Sequence, residues 1–164
     1  MFQYHMWLVS GLGEKLGHEP CTDDEYAPFE EREEELLAEL AVKIEDCIFR
    51  ELTHNQIRTA PAGFADADTS IVRRGLRFQR TYELVTCLNF ERNHVPTNIL
   101  GRQRRLMEEI YRLAPATFGV AYLFSEDEPP FNGRFHVFKM VKDKIFEGSD
   151  PFFDACFPVV PPGA

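Results

Sequence analysis

No stretch of this chain is apolar for anything near the ~20 residues a helix needs to cross a bilayer, although 44% of its residues are hydrophobic. The opening run, MFQYHMWLV at residues 1–9, is short, carries Gln3 and His5, and lacks a basic lead or a small-residue cleavage site, so it does not read as a signal peptide. The expectation is therefore a cytoplasmic protein with no membrane partner. The four cysteines, Cys21, Cys47, Cys87 and Cys156, are scattered, with no Cys-x-x-Cys pairing of the metal-binding kind. In a reducing compartment they read as ordinary buried thiols. There is also no Gly-rich phosphate loop, no Gly-x-Ser-x-Gly elbow and no His-Glu-x-x-His helix. Gly11 and Gly13 follow a strand-like run, but no third glycine opens a helix behind them, which argues against a dinucleotide site. The five histidines stand singly, and His5 and His136 read as structural residues of strands rather than as ligands. No repeat or low-complexity tract is present. The expectation is no cofactor, no metal and no catalytic set.

What is present is the composition of a folded domain. At 164 residues with 15 Phe, one domain can bury about 70% of its unfolded surface around a single core. The charge is unevenly placed. Residues 22–46 hold eleven acids against Arg32 and Lys43, which accounts for the whole net charge of −9. Such a concentration disfavours nucleic acid as a partner and speeds association with a cationic protein; its plainer reading is a solvated helix face. The arginines at 73, 74, 77 and 80 and at 102, 104 and 105 are suited to phosphate, but surface ion pairs to the acidic helix or its flanks account for them more simply.

Periodicity supplies the elements. Residues 2–9 alternate as a strand, with Phe2, Tyr4, Met6 and Leu8 on one face and Gln3, His5, Trp7 and Val9 on the other. Leu37, Leu40, Ala41, Ile44, Cys47 and Ile48 recur at helical spacing within a helix over roughly 28–52, with acids clustered at its start, where the helix dipole favours them. Residues 57–80 give only turn signals. Residues 81–90 alternate, placing Tyr82, Leu84, Thr86, Leu88 and Phe90 on one face. Pro96 and Thr97 announce a helix to about Leu113, with Thr97 as its N-cap and Pro115 beyond its end. Strands follow over 118–124, 135–141 and 144–147. This order predicts an α+β domain: an antiparallel sheet covered on one face by two helices, a two-layer sandwich. The domain is expected to span the chain, with residues 158–164 as a frayed tail.

Several short motifs fall into a familiar order. The chain opens on Phe2, Gln3, Tyr4, His5, Met6, Trp7; a helix ends at Ala114-Pro115; Thr117-Phe118-Gly119 leads a strand into Asp127-Glu128; and Asp150-Pro151-Phe152 precedes Cys156-Phe157-Pro158. Asn93-His94 lies before the second helix. In this order and spacing the chain resembles the immunity protein 7 family of bacterial polymorphic toxin systems. Met6 stands where family members usually have glycine, and residues 60–80 match no part of the pattern. The resemblance implies a protein that binds and neutralises a cognate toxin C-terminal domain and is not an enzyme. The alternative is a small ligand-binding domain or enzyme sharing the same α+β fold.

For the toxin-binding surface the candidates are Asp23, Asp24, Glu25, Tyr26, Phe29, Glu30, Glu31 and Glu34 in the acidic segment, and Glu126, Asp127, Glu128 and Phe131 in the loop after the third strand. The acids would form a polar rim, and Tyr26, Phe29 and Phe131 would be its anchors. The 126–128 acids also read as plain turn residues or as a weak hard-cation site. Trp7 is read as a core anchor of the first strand, so that Trp7→Ala should cost roughly 3–5 kcal/mol.

Overall fold

The computed structural model describes residues 1–13, 23–53, 64–141 and 144–149, without the side chains of 23–27 and 64–68. Alternating apolar residues build six strands: β1 (Phe2–Ser10), β2 (Leu76–Arg80), β3 (Leu84–Arg92), β4 (Phe118–Ser125), β5 (His136–Val141) and β6 (Lys144–Ser149). They form one sheet in the order β2-β3-β1-β4-β5-β6, and every neighbouring pair is antiparallel. Three helices accompany it: α1 (Asp23–Thr53), α2 (Phe64–Gly75) and α3 (Ile99–Leu113). The α+β expectation therefore holds, with one helix more than foreseen. The extra helix lies in the stretch where glycine and proline signals hid the pattern, and it packs against β3 and α1.

Register decides which side chains are covered. Phe2, Tyr4, Met6 and Leu8 of β1 face Arg92, Phe90, Leu88 and Thr86 of β3 on one side, and Ser125, Leu123, Ala121 and Gly119 of β4 on the other. All of these are buried. Leu37, Leu40, Ile44, Ile48 and Leu52 of α1 and Leu106, Met107 and Ile110 of α3 join them in a single core. The helices thus cover this face, and among the described residues no helix packs on the opposite one. Within the core the Tyr4 ring stacks on Phe90 (4.7 Å, 7°), and its hydroxyl donates to Gln103 Oε1 at 2.5 Å. Burial pushes the Tyr4 pKa far above its ordinary value.

Three local expectations need correction. Tyr82 does not continue β3; it sits in the β2–β3 turn at 84% exposure. The N-cap of α3 is Asn98, not Thr97, in a left-handed conformation (φ 53°) and without a side-chain cap bond. Trp7 is not a core anchor. It lies on the face away from the helices, 43% exposed, beside Phe118 in a T-shaped contact (6.0 Å, 71°). With less of the ring buried, the cavity cost of Trp7→Ala falls below the full core value.

The glycine in Thr117-Phe118-Gly119 has a steric reason. Gly119 has φ +153°, and a Cβ there would lie 2.2 Å from the Trp7 carbonyl oxygen and 2.7 Å from Leu8 Cα. Only glycine permits so close an approach of two backbones at this dihedral. Gly119 therefore lets β4 lie against β1 and fixes where Trp7 and Phe118 meet.

Candidate functional site

The two ends of the sheet carry the two sets of candidate residues. At one end Phe2 pairs with Arg92 and Ser125, and an Arg92 guanidinium nitrogen donates to the carbonyl of Leu52 at 3.4 Å. The C-terminus of α1 and the loop at 126–134 therefore share this end. At the other end Ser10 pairs with Leu84, next to the turn at 81–83, and Val9 pairs with Phe118. Leu36, Glu39, Leu40 and Lys43 of α1 line a cleft with Gly11, Leu12, Leu113 and Ala114 there, so α1 runs antiparallel to β1. Its 31 residues span about 46 Å, whereas nine strand residues span about 30 Å. No described side chain of α1 before Leu37 is fully buried. The first part of the helix thus extends past the Ser10 end of the sheet.

This overhang is where the acids are. Residues 23–35 contain eight acids and one base, Arg32. Glu30, Glu31, Glu34 and Glu35 are exposed and Glu33 is half-buried; none of the five pairs with a described cation, whereas farther along the helix Glu39 pairs with Lys43 and Glu51 with Arg105. Phe29 is half-buried. The side chains of Asp23, Asp24, Glu25 and Tyr26 lie outside the described residues. Unpaired like charges on one projecting helix repel each other in the free protein, and that repulsion is relieved when a cationic surface approaches.

At the far end Glu126 and Asp127 are exposed. Glu128 is engaged within the fold: its Oε2 accepts from the Val95 N–H at 3.1 Å, and its Oε1 lies 3.4 Å from His94 Nδ1. Phe131 cannot serve as a surface anchor, because it is 3% exposed and its ring packs 5.8 Å from Phe2. Acidic neighbours along the chain suggest an interface position for this residue; its burial comes from the packing of the loop against Phe2 at the sheet end. Added to the sheet, the overhang puts the two acidic sets on the order of 45 Å apart. A standard interface covers roughly 800 Å² per partner, a patch about 30 Å across. One partner domain with an interface of that size reaches one set or the other.

Other arginines and histidines are engaged within the fold. Arg105 Nε donates to Glu51 at 3.0 Å, Arg50 pairs with Glu109, and Arg104 pairs with Glu147, so the arginines tie α3 to α1 and β6. Arg73 lies 5.4 Å from the Phe49 ring centre, and Arg77 donates to the carbonyls of Arg74 and Leu76. His5 meets Asn89 at 3.0 Å, and His136 meets Glu147 at 3.0 Å. Between α1 and α3 an open cleft of ≈ 370 Å³ includes Cys47, Arg50, Glu109 and Arg112. Burial, reinforced by Glu109, pushes the Cys47 thiol up, which keeps it protonated and unreactive. A second cleft, of ≈ 290 Å³, has Glu128 as its one ionisable side chain. Among the described residues no three His, Cys, Asp or Glu side chains gather as a metal set. Cys87 is half-buried on the face away from the helices, and Cys21 and Cys156 lie outside the described residues. No described helix is long and apolar enough to cross a membrane.

The described residues form an α+β scaffold of two layers, with a projecting acidic helix and exposed aromatic rings at one end. The immunity protein 7 family model matches residues 67–161, more than half of the chain, and the chain belongs to that family. No curated protein and no solved structure matches. The matched span takes in residues 67–80, which the motif comparison left unplaced, and leaves out the β1 motif. The Asp150-Pro151-Phe152 and Cys156-Phe157-Pro158 motifs fall within it but outside the described residues.

Proposed function

We propose that this protein binds the C-terminal toxin domain of a bacterial polymorphic toxin system and holds it inactive, protecting the cell that makes both. Membership of the immunity protein 7 family carries this reading. The acidic overhang of α1 adds the chemistry of the partner: a net charge of −9, all of it arising within residues 22–46, suits a basic toxin domain and opposes nucleic acid. Neutralisation requires a complementary surface and slow dissociation, without turnover, cofactor or metal. It takes place in the cytoplasm of the producing cell, where the toxin would otherwise act.

The test is co-expression with the C-terminal domain encoded by the gene immediately upstream, scored first by cell survival and then by size-exclusion chromatography. Rescue together with a co-eluting complex is the expected result. Cell death with no complex would overturn the reading and bring the ligand-binding alternative forward.

A further inference from the structure

Resting on that reading for the identity of the partner, we infer that the partner is anchored at the Ser10 end of the sheet, on the exposed rings of Trp7, Phe118 and Tyr82, with the acidic overhang of α1 as the flanking rim. The loop at 126–128 takes no part.

Strand register sets Trp7 between Cys87 of β3 and Val120 of β4, in the middle of the six-stranded order. The uncovered face of an antiparallel sheet is ordinarily polar. Here its two central strands present Trp7 at 43% exposure and Phe118 at 42%. The rings already touch edge to face, and both stand on strands held by backbone ladders on either side. Their geometry is set before any partner arrives, so little side-chain entropy is lost on binding. Tyr82 adds a third ring at 84% exposure in the turn next to Leu84, which pairs with Ser10. Trp and Tyr are the residues most often found to dominate binding energy when seated in a partner's pocket.

Charge selects the occupant. The overhang places Glu30, Glu31, Glu33, Glu34 and Glu35 at the same end of the domain as the three rings. A second copy meeting this end would bring like charge against like charge, which costs several kcal/mol. A nucleic acid is repelled for the same reason. The occupant that fits is a protein surface with apolar recesses for the rings and a basic border for the helix. At the far end Phe131 is buried and Glu128 is occupied by Val95 and His94, leaving no exposed ring to anchor a partner among the described residues of the loop.

The experiment measures affinity and off-rate for the upstream-encoded C-terminal domain by biolayer interferometry, with thermal melts confirming that each variant folds. Trp7→Ala and Phe118→Ala should each weaken binding by roughly 30-fold or more, chiefly through the off-rate. Tyr82→Ala, in an exposed turn where folding is not at risk, should weaken it by about 10-fold. The double variant Glu126→Gln, Asp127→Asn should stay within about 3-fold of wild type. Wild-type binding with unchanged affinity for Trp7→Ala and Tyr82→Ala would overturn this inference alone. So would loss of affinity confined to the far-end variant, or a wild-type dimer, seen by light scattering, that Trp7→Ala dissociates. Absence of binding by the wild type would overturn the toxin-neutralising reading, and the inference with it.

Discussion

Replacing Gly119 by alanine tests the geometry that brings the two central strands together. The added Cβ would sit 2.2 Å from the Trp7 carbonyl oxygen and 2.7 Å from Leu8 Cα. Both are backbone atoms, so no rotamer change relieves the overlap. Restoring an ordinary contact requires β1 and β4 to part by roughly 1 Å, which weakens the ladder bonds on either side. Alanine at φ +153° adds about 1–3 kcal/mol of backbone strain, and overpacking of this kind costs a further ~1–3 kcal/mol. The sum, about 2–6 kcal/mol, corresponds to a fall in Tm of roughly 4–24 °C for a domain of this size. Urea unfolding followed by far-UV circular dichroism gives the free energy. Fluorescence of Trp7, the single tryptophan, reports the β1–β4 junction in the same sample. Gly148 is the control: nothing lies within 4 Å of the Cβ position there and its φ is not positive, so Gly148→Ala should stay within about 0.5 kcal/mol of wild type. A Gly119→Ala protein as stable as Gly148→Ala, with the same slope against urea, would refute the close approach.

The other predictions concern the core and the overhang. Tyr4→Phe removes the hydroxyl that donates to Gln103 in a fully buried site and should cost about 1–2 kcal/mol by chemical denaturation. The folded-state pKa of Tyr4 is raised by burial above its unfolded value of 10.0. Its contribution to stability is therefore whole below pH 10 and is lost as pH rises beyond it, because the unfolded chain ionises there and the folded one does not. In a spectrophotometric titration one of the five tyrosines should ionise only on unfolding, and that step should vanish in Tyr4→Phe. Leu37→Ala, at the first fully buried described position of α1, should cost about 2–5 kcal/mol. The triple variant Glu30→Gln, Glu31→Gln, Glu34→Gln should leave the melting curve within about 0.5 kcal/mol per site. Against a basic partner its association rate should be slower and less sensitive to salt, as stopped-flow mixing at two ionic strengths would register.

Local pattern carried much of the fold into the sequence. Alternation placed Phe2, Tyr4, Met6 and Leu8 on one face, and helical spacing picked out Leu37, Leu40, Ile44 and Ile48; the core contains all of these. α2 and β2 were not legible because they are short and adjoin each other at Gly75, so neither period repeats often enough to register. Gly75 itself marks that junction: a Cβ there would lie 1.9 Å from the Asn89 carbonyl oxygen, a contact with another strand that local spacing does not encode. The acidic segment was legible as charge, and Glu30, Glu31 and Glu34 stand exposed on the overhang. The burial of Phe131 was not legible, because an aromatic beside acids looks the same in sequence whether it faces solvent or folds back onto Phe2.

By itself the sequence determined the two periodicities, the inward residues of each long element and the concentration of negative charge, because each follows from neighbours along the chain. Tertiary structure decided what depends on partners distant in sequence. Helices on one face of the sheet left Trp7 beside Phe118 on the other. The antiparallel course of α1 over β1 carried its acidic start to one end of the domain, away from residues 126–128 at the other. Alternation says that two faces exist; only the packing of distant elements chooses which of them water touches.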